Sequence, residues 1–462
     1  MLPARSFTKE QLNQWPARAV LALLYLYFSV IANEVIAAGV AQQNTLPAHA
    51  KTKVGGAQEQ SATVEKSLVE VERQNKSEAR QAVGRYSKRI DELESEFGAY
   101  DNQFSEALLD LGLAQQEIGN HDDAVKTLKQ ALHVNRINEG LYNPNVAPIL
   151  ERLIFSHASA GDWEAVDDRH HFLMQLSYKT LQPDDPALLP VLTKLSRWHL
   201  YAFIQNIDAN PLKHLVAARG LFNRAASIIE LNFGNSDLRL AHQYNGRTIA
   251  DYYLTVYQQQ NHSQESFDGP NGKDESAKKV VHIQNGFGEG LRAIKSSIAV
   301  YANNEKAPPE AQALALAQLG DWYLMFRKNQ SADEAYKQAY AMLAADPAFA
   351  KVLDSTFGRP VPLPDFNNAY FDYFDETDKQ EEMGYVLVNV NITASGGVRR
   401  PKVVDASPAK KSMRRRALTT LKSTVFRPRF ENGVAVATQD LRYRYRYEYK
   451  PEKTAEKDDD HE

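Results

Sequence analysis

Residues 442–449 read Arg442-Tyr443-Arg444-Tyr445-Arg446-Tyr447-Glu448-Tyr449. Side chains along a strand point alternately to its two faces, so this run predicts a strand with its tyrosines on one face and its arginines on the other. Upstream, Asn432-Gly433 predicts a tight turn into a closing strand, Ala437 to Tyr449, and Phe426-Arg427-Pro428-Arg429-Phe430 reads as extended chain. Met413, Ala417 and Leu421 fall on one stripe of a helix, against which the tyrosine face would pack. Val398 to Val404 predicts a strand broken by Pro401, which fits a sheet edge or a bulge. Ser395-Gly396-Gly397 supplies a tight turn, since glycine tolerates positive φ. Tyr385 to Ile392 alternates polar and β-branched residues as a strand does. The order is strand–strand–helix–strand, a small α+β module over 383–450. It is strongly basic: between Gly384 and Lys450 the only acids are Asp405, Glu431, Asp440 and Glu448.

The chain before this module follows another pattern. Leu108, Leu111, Gly112, Gly119, Ala124, Leu128 and Ala131 stand at helix–turn–helix spacing, and Leu316, Leu319, Gly320, Tyr323, Ala332, Tyr336 and Ala339 repeat it. Small residues let two antiparallel helices approach, and larger ones fill the groove between them. Gly161-Asp162-Trp163 and the Ala218, Phe222, Ala225 series suggest weaker copies. This spacing resembles the tetratricopeptide repeat, with Leu108, Gly112, Ala124 and Ala131, then Leu316, Gly320, Ala332 and Ala339, at its large and small positions. The expected fold is an all-α, tetratricopeptide-like solenoid over 62–345 with a polar loop at 258–277. An interdomain connection over 346–382 includes the aromatic and acidic run Tyr370-Phe371-Asp372-Tyr373-Phe374-Asp375. Residues 42–61 read as a flexible linker, and 451–462 as an acidic, disordered tail.

At the N-terminal end, Arg5, Lys9 and Arg18 precede an apolar run from Ala19 to Ala32, and Gly39 and Ala41 stand before Gln42. This is the pattern of an export signal within 1–41. The alternative is an uncleaved anchor, since Ala19 to Ala41 is long enough to span a bilayer core of about 30 Å. With 43% hydrophobic and 24% charged residues the composition supports packed domains, and the absence of cysteine excludes disulfides and thiolate metal sites.

The terminal module carries a more specific resemblance. Gly384-Tyr385-Val386, Gly396-Gly397-Val398, Ala417-Leu418, Phe426-Arg427-Pro428 and Gly433-Val434 resemble the C-terminal domain of TonB-like energy transducers. The resemblance implies a small periplasmic α+β domain whose closing strand can pair with a segment of an outer-membrane receptor. Transducers of that family also carry a membrane-anchored N-terminus with a functional histidine, then a proline-rich spacer. In this chain the apolar segment has no histidine, and a repeat array stands where the spacer would be.

No catalytic constellation emerges. The glycines of Gly269-Pro270-Asn271-Gly272-Lys273 are too close for a phosphate loop, and Gly286-Phe287-Gly288-Glu289-Gly290 reads as a helix entry. His170 and His171 diverge by about 100° on a helix and cannot chelate one ion together. No HExxH or GxSxG occurs. The chain is therefore expected to be no enzyme and to hold no cofactor or metal. Arginine–aromatic interleaving can serve nucleic acid, but here the alternation separates the two residue types onto opposite faces. The expected partners are proteins of the cell envelope, with an outer-membrane receptor or an inner-membrane motor as candidates, and no nucleic acid. The expected function is a periplasmic adaptor that binds by a helical-repeat groove and by strand pairing at Arg442, Tyr443, Arg444, Tyr445, Arg446 and Tyr447. The alternative is an energy transducer held by its N-terminal helix. The closing strand either offers an open edge or is covered by a symmetry mate or by Tyr370 to Phe374.

Overall fold

The computed structural model describes residues 57–97, 101–207, 209–265, 286–365 and 383–448. The expected signal or anchor (1–41), the run from Tyr370 to Asp375 and the tail 451–462 lie outside them. An all-α region is followed by a small β-containing segment. The chain divides between Val191 and Leu192 into two compact units.

The first unit contains α1 (Ala57–Phe97), α2 (Asn102–Glu117), α3 (His121–Glu139), α4 (Val146–Ser159) and α5 (Trp163–Thr180). Helix α1 begins inside the stretch 42–61 expected as linker. The boundaries follow cap chemistry. The side chains of Asp101, Asn120 and Asp162 accept from Gln103 N, Asp123 N and Ala165 N at the starts of α2, α3 and α5. Helices α2 and α3 run antiparallel, with Ser105 Oγ donating to the Ala131 carbonyl at 3.0 Å. They meet at Gly112, where a Cβ would lie 2.7 Å from Leu128. Leu108, Ala124 and Ala131 are buried beside this crossing.

The second unit begins within α6 (Leu189–Ile204). It continues through α7 (Pro211–Phe233), α8 (Arg239–Glu265), α9 (Gly286–Ala302), α10 (Ala311–Met325), α11 (Asn329–Ala344) and α12 (Ala350–Phe357). Gly286 opens α9, as its sequence suggests. Helix α8 persists to Glu265, into the stretch expected to be a loop over 258–277. Helices α10 and α11 repeat the glycine-mediated contact. A Cβ on Gly320 would lie 2.4 Å from the Tyr336 ring, with Leu316, Ala332 and Ala339 buried around it. No helix of the described residues is long and apolar enough to cross a membrane.

The described part of the stretch 346–382, expected as the interdomain connection, carries regular elements of its own. Helix α12 lies within it, and β1 (Val361–Leu363) pairs antiparallel with β4 (Val425–Arg427). Its prolines are compatible with this because a two-stranded edge pairing leaves the second side of the strand without a ladder.

The remaining elements are β2 (Met383–Ile392), β3 (Val398–Ser407), α13 (Lys411–Ser423), β5 (Arg429–Glu431), β6 (Val434–Val436) and β7 (Thr438–Glu448). Strands β3, β2 and β7 form an antiparallel sheet in that order. Val386, Val388, Val390 and Ile392 of β2 bury one face against Ala417, Leu421, Phe426 and Tyr447, with Met413 and Tyr443 packed alongside. The expected helix stripe is therefore the one that seals the core. Asn432-Gly433, both at positive φ, turn β5 into β6, a short strand that precedes the expected closing strand.

Candidate functional site

The closing strand lies at a border of the sheet. Among the described residues β7 has β2 as its only strand neighbour. Tyr443, Tyr445 and Tyr447 turn toward the helix side, where Tyr447 is buried and its hydroxyl donates to the Pro408 carbonyl at 2.8 Å. Arg442 and Arg444 are exposed on the opposite face and Arg446 is half-buried there. The Arg444 guanidinium lies 5.5 Å over the Tyr385 ring, and Tyr385 donates to Asp405 Oδ2 at 2.7 Å. That hydrogen bond raises the Tyr385 hydroxyl above its ordinary value.

A bulge ends the regular part of β7. Asp440 has φ 53°, its N–H is taken by Asn391 Oδ1 at 3.0 Å, and the register with β2 slips between Val390 and Ile392. The other border, β3, is less regular. Arg400 has φ 48° ahead of Pro401, and the register with β2 slips twice, once between Leu387 and Val388 and once between Asn389 and Asn391. Pro401 thus sits on an edge strand and at a bulge. Both devices keep a strand border from accepting a partner.

Of the domain-motif residues, Gly396 and Phe426 meet where the sheet approaches the helices, Pro428 is buried beside them in sequence, and Gly433 lies in the β5–β6 turn. Gly396 (φ 77°) passes so close to β4 that a Cβ would lie 2.1 Å from the Phe426 carbonyl and 3.2 Å from Leu324 of α10. Its carbonyl accepts from Phe426 N at 2.9 Å. Gly397 completes the turn, its N–H going to Thr393 Oγ1 at 2.9 Å. At the other end of β2, a Cβ on Gly384 would lie 2.5 Å from the Tyr447 ring. Gly433, in the hairpin turn, has room beside Tyr340, and its φ of 77° sets the need for glycine.

Strand alternation then divides Phe426 from Arg427. Phe426 fills the sheet core, 6.1 Å from the Tyr443 ring, whereas Arg427 enters the helical core. Arg427 is 5% exposed and Asp321 of α10 is 3% exposed. Arg427 Nε donates to Asp321 Oδ1 at 2.8 Å and Nη2 to Asp321 Oδ2 at 2.5 Å. Nη2 also reaches Asp365 Oδ2 at 3.1 Å, and Nη1 the Thr356 carbonyl of α12 at 3.3 Å. Tyr336 of α11 donates to Asp321 Oδ1 at 2.8 Å. Desolvation opposes the charge on Arg427, but the field and hydrogen bonds of Asp321 outweigh it and hold the guanidinium above its ordinary pKa. Burial raises the Asp365 carboxyl, with Arg427 pulling the other way. Burial and the Asp321 charge push the Tyr336 hydroxyl well up. Next to this pair, Phe430 of β5 packs on Tyr336, Tyr340 and Phe357, its ring 5.0 Å from that of Phe357.

The sequence carries a signal for this pair beyond the motif in which Arg427 stands. An arginine between two buried hydrophobic positions needs an acid, and α10 offers Asp321 within an otherwise apolar stretch. Two histidine contacts lie apart from this pair. His157 Nδ1 lies 2.9 Å from the capping Asp162, and His199 and His214 face each other, Nδ1 to Nδ1 at 2.8 Å.

Residues 369–448 match the family of Gram-negative bacterial TonB protein C-terminal domains. The match takes in the whole described sheet and α13. No curated protein matches the chain. Among solved structures it is similar to BtubC (BKLC) from P. vanneervenii, at 13% identity and a TM-score of 0.37, over 59% of this chain and 91% of that one. It is also similar to a Podosopora anserina protein described as a kinesin light chain with nearly identical TPR-like repeats. There the identity is 15% and the TM-score 0.36, over 53% of this chain and 97% of that one. TM-scores this low do not establish a shared fold.

Proposed function

We propose that the chain is a periplasmic adaptor of the cell envelope that joins two proteins, one held by its tetratricopeptide-like helices and the other paired to strand β7. The observation that carries this reading is the position of β7 at a regular border of the sheet, beside a β3 border interrupted by bulges. A strand border offers N–H and C=O groups in register for an extended peptide. The TonB C-terminal match supports a partner in the envelope, an outer-membrane receptor being the first candidate. The glycine-mediated helix hairpin at Gly112 in the first unit, and the one at Gly320 in the second, each support tetratricopeptide-like packing of the kind that holds a protein partner. An N-terminal anchor from Ala19 to Ala41 would convert the same body into an energy transducer, and the adaptor reading does not require it.

Site-specific photo-crosslinking in an intact Gram-negative envelope tests the strand-pairing half. A crosslinker at position 444 should capture a defined partner, and one at Val404 on β3 should not. Successive residues of a strand direct their N–H groups to opposite borders. Of Arg444→Pro and Tyr445→Pro, one should therefore abolish capture with the fold intact, while the other disrupts the β2–β7 ladder. Equal capture from both borders, or capture surviving both prolines in a folded protein, would sink the reading.

A further inference from the structure

The sheet register defines what kind of strand the β7 border can accept. On the solvated face the rows across the sheet are Arg446–Tyr385–Ser407, Arg444–Leu387–Asp405 and Arg442–Asn389–Lys402. On the helix face they are Tyr445–Val386–Ala406 and Tyr443–Val388–Val403, with Tyr443 and Tyr445 packed on the core without being buried. A strand added beside β7 extends both sets of rows. Its alternate side chains would stand next to Arg442, Arg444 and Arg446 at the strand repeat of about 6.8 Å, and the intervening ones next to the half-covered tyrosines.

We infer that the partner is an extended segment of another protein with acidic residues at alternate positions, i, i+2 and i+4, and apolar or aromatic residues between them. The inference rests on the strand-pairing reading and adds the chemistry of the occupant. Opposite charges directly across a ladder stabilise it, and like charges oppose it. The same rule disfavours a second copy of this chain. Two β7 strands paired antiparallel about a two-fold axis normal to the sheet would continue one face into the other. Arginine would then meet arginine along the whole regular stretch from Leu441 to Tyr447. The β3 border has no comparable row: its slips at Arg400–Pro401 and near Val404 interrupt the alternation that an acidic strand would need.

The test uses the full chain and three labelled ten-residue peptides: alternating Glu and Val, the same composition scrambled, and alternating Lys and Val. Binding is followed by fluorescence anisotropy at low salt and at 0.5 M salt. Amide exchange of residues 441–447 reports whether a strand is added. The expected result is that the Glu–Val peptide binds about tenfold tighter than either control. Its binding should weaken with salt, and the exchange of residues 441–447 should slow. The exposed-site double variant Arg442→Glu, Arg444→Glu should reverse the ranking in favour of the Lys–Val peptide, with Arg442→Ala, Arg444→Ala erasing it.

Slowed exchange with no difference between the Glu–Val and Lys–Val peptides would leave strand pairing intact and overturn the acidic partner. Equal binding of the scrambled and alternating acidic peptides without protection of β7 would show charge attraction without a strand, and would also overturn it. Binding of none of the three would overturn strand pairing itself, and the inference with it. A concentration-dependent dimer of the full chain that protects 441–447 would favour a second copy instead.

Discussion

Replacing Arg427 by methionine keeps much of its apolar stem and removes the guanidinium. What remains is a pair of acids, Asp321 and Asp365, facing a core that also contains Tyr336, Phe357 and Phe430. Two charge-assisted hydrogen bonds to Asp321 disappear, together with contacts to Asp365 and the Thr356 carbonyl. Breaking a buried pair from one side costs about 3–5 kcal/mol, mainly because the other charge is left uncompensated. The loss is local to the seam between β4 and α10–α12. Native-state amide exchange is therefore the appropriate assay, since the chain has two units and a global two-state fit does not apply. Amides of Val425, Phe426 and Phe430 should exchange roughly 10²–10⁴-fold faster in Arg427→Met. Those of Val386 and Val388, in the centre of the sheet core, should change much less. Asp321→Leu combined with Arg427→Met removes both charges and should recover most of the loss, because a buried ion pair exchanged for apolar side chains is often neutral or better. An Arg427→Met protein whose exchange stays within about threefold of the parent, or a double variant worse than both singles, would refute the reasoning.

Two further predictions concern the helices. Gly320→Ala should destabilise α10 and α11 by about 1–3 kcal/mol in native-state amide exchange, because the new Cβ meets a Tyr336 ring that its hydroxyl bond and two aromatic neighbours hold in place. Gly84→Ala, in α1 with nothing within 4 Å, should instead stabilise by about 0.5–1 kcal/mol. His242 has its pKa lowered from 6.5 to about 4, first by burial and then by Arg197. The unfolded chain therefore takes up that proton at higher pH than the folded one. The stability this group contributes is present above pH 6.5 and is lost as pH falls toward about 4, up to about 3 kcal/mol in all. His242→Gln should flatten denaturation midpoints measured across that window, and an unchanged slope would discount His242 as the source.

Much of the fold is legible from local rules. The alternation from Arg442 to Tyr447 determines which face of β7 is packed, because a strand has no other way to separate two residue types. Met413, Ala417 and Leu421 determine the buried stripe of α13, and Gly112 and Gly320 mark where helices touch. Pro401 announces an irregular border. Residues 346–365 are harder to read, because short elements rich in proline look like linker until their partner is known. β1 has no reason to be a strand except its pairing with β4, more than sixty residues onward.

What the sequence by itself determined is therefore the longer helices and strands, the buried faces of β7 and α13 and the cationic character of the terminal module, all of which depend on neighbours a few residues apart. Only the tertiary structure decided that β7 stands at a border and that Arg427 belongs to the helices and not to the sheet. Both are properties of long-range pairing: Arg427 and its acid are 106 residues apart. No periodicity connects positions so distant. Their meeting follows from closing the core around them, where an arginine cannot be left without its carboxylate.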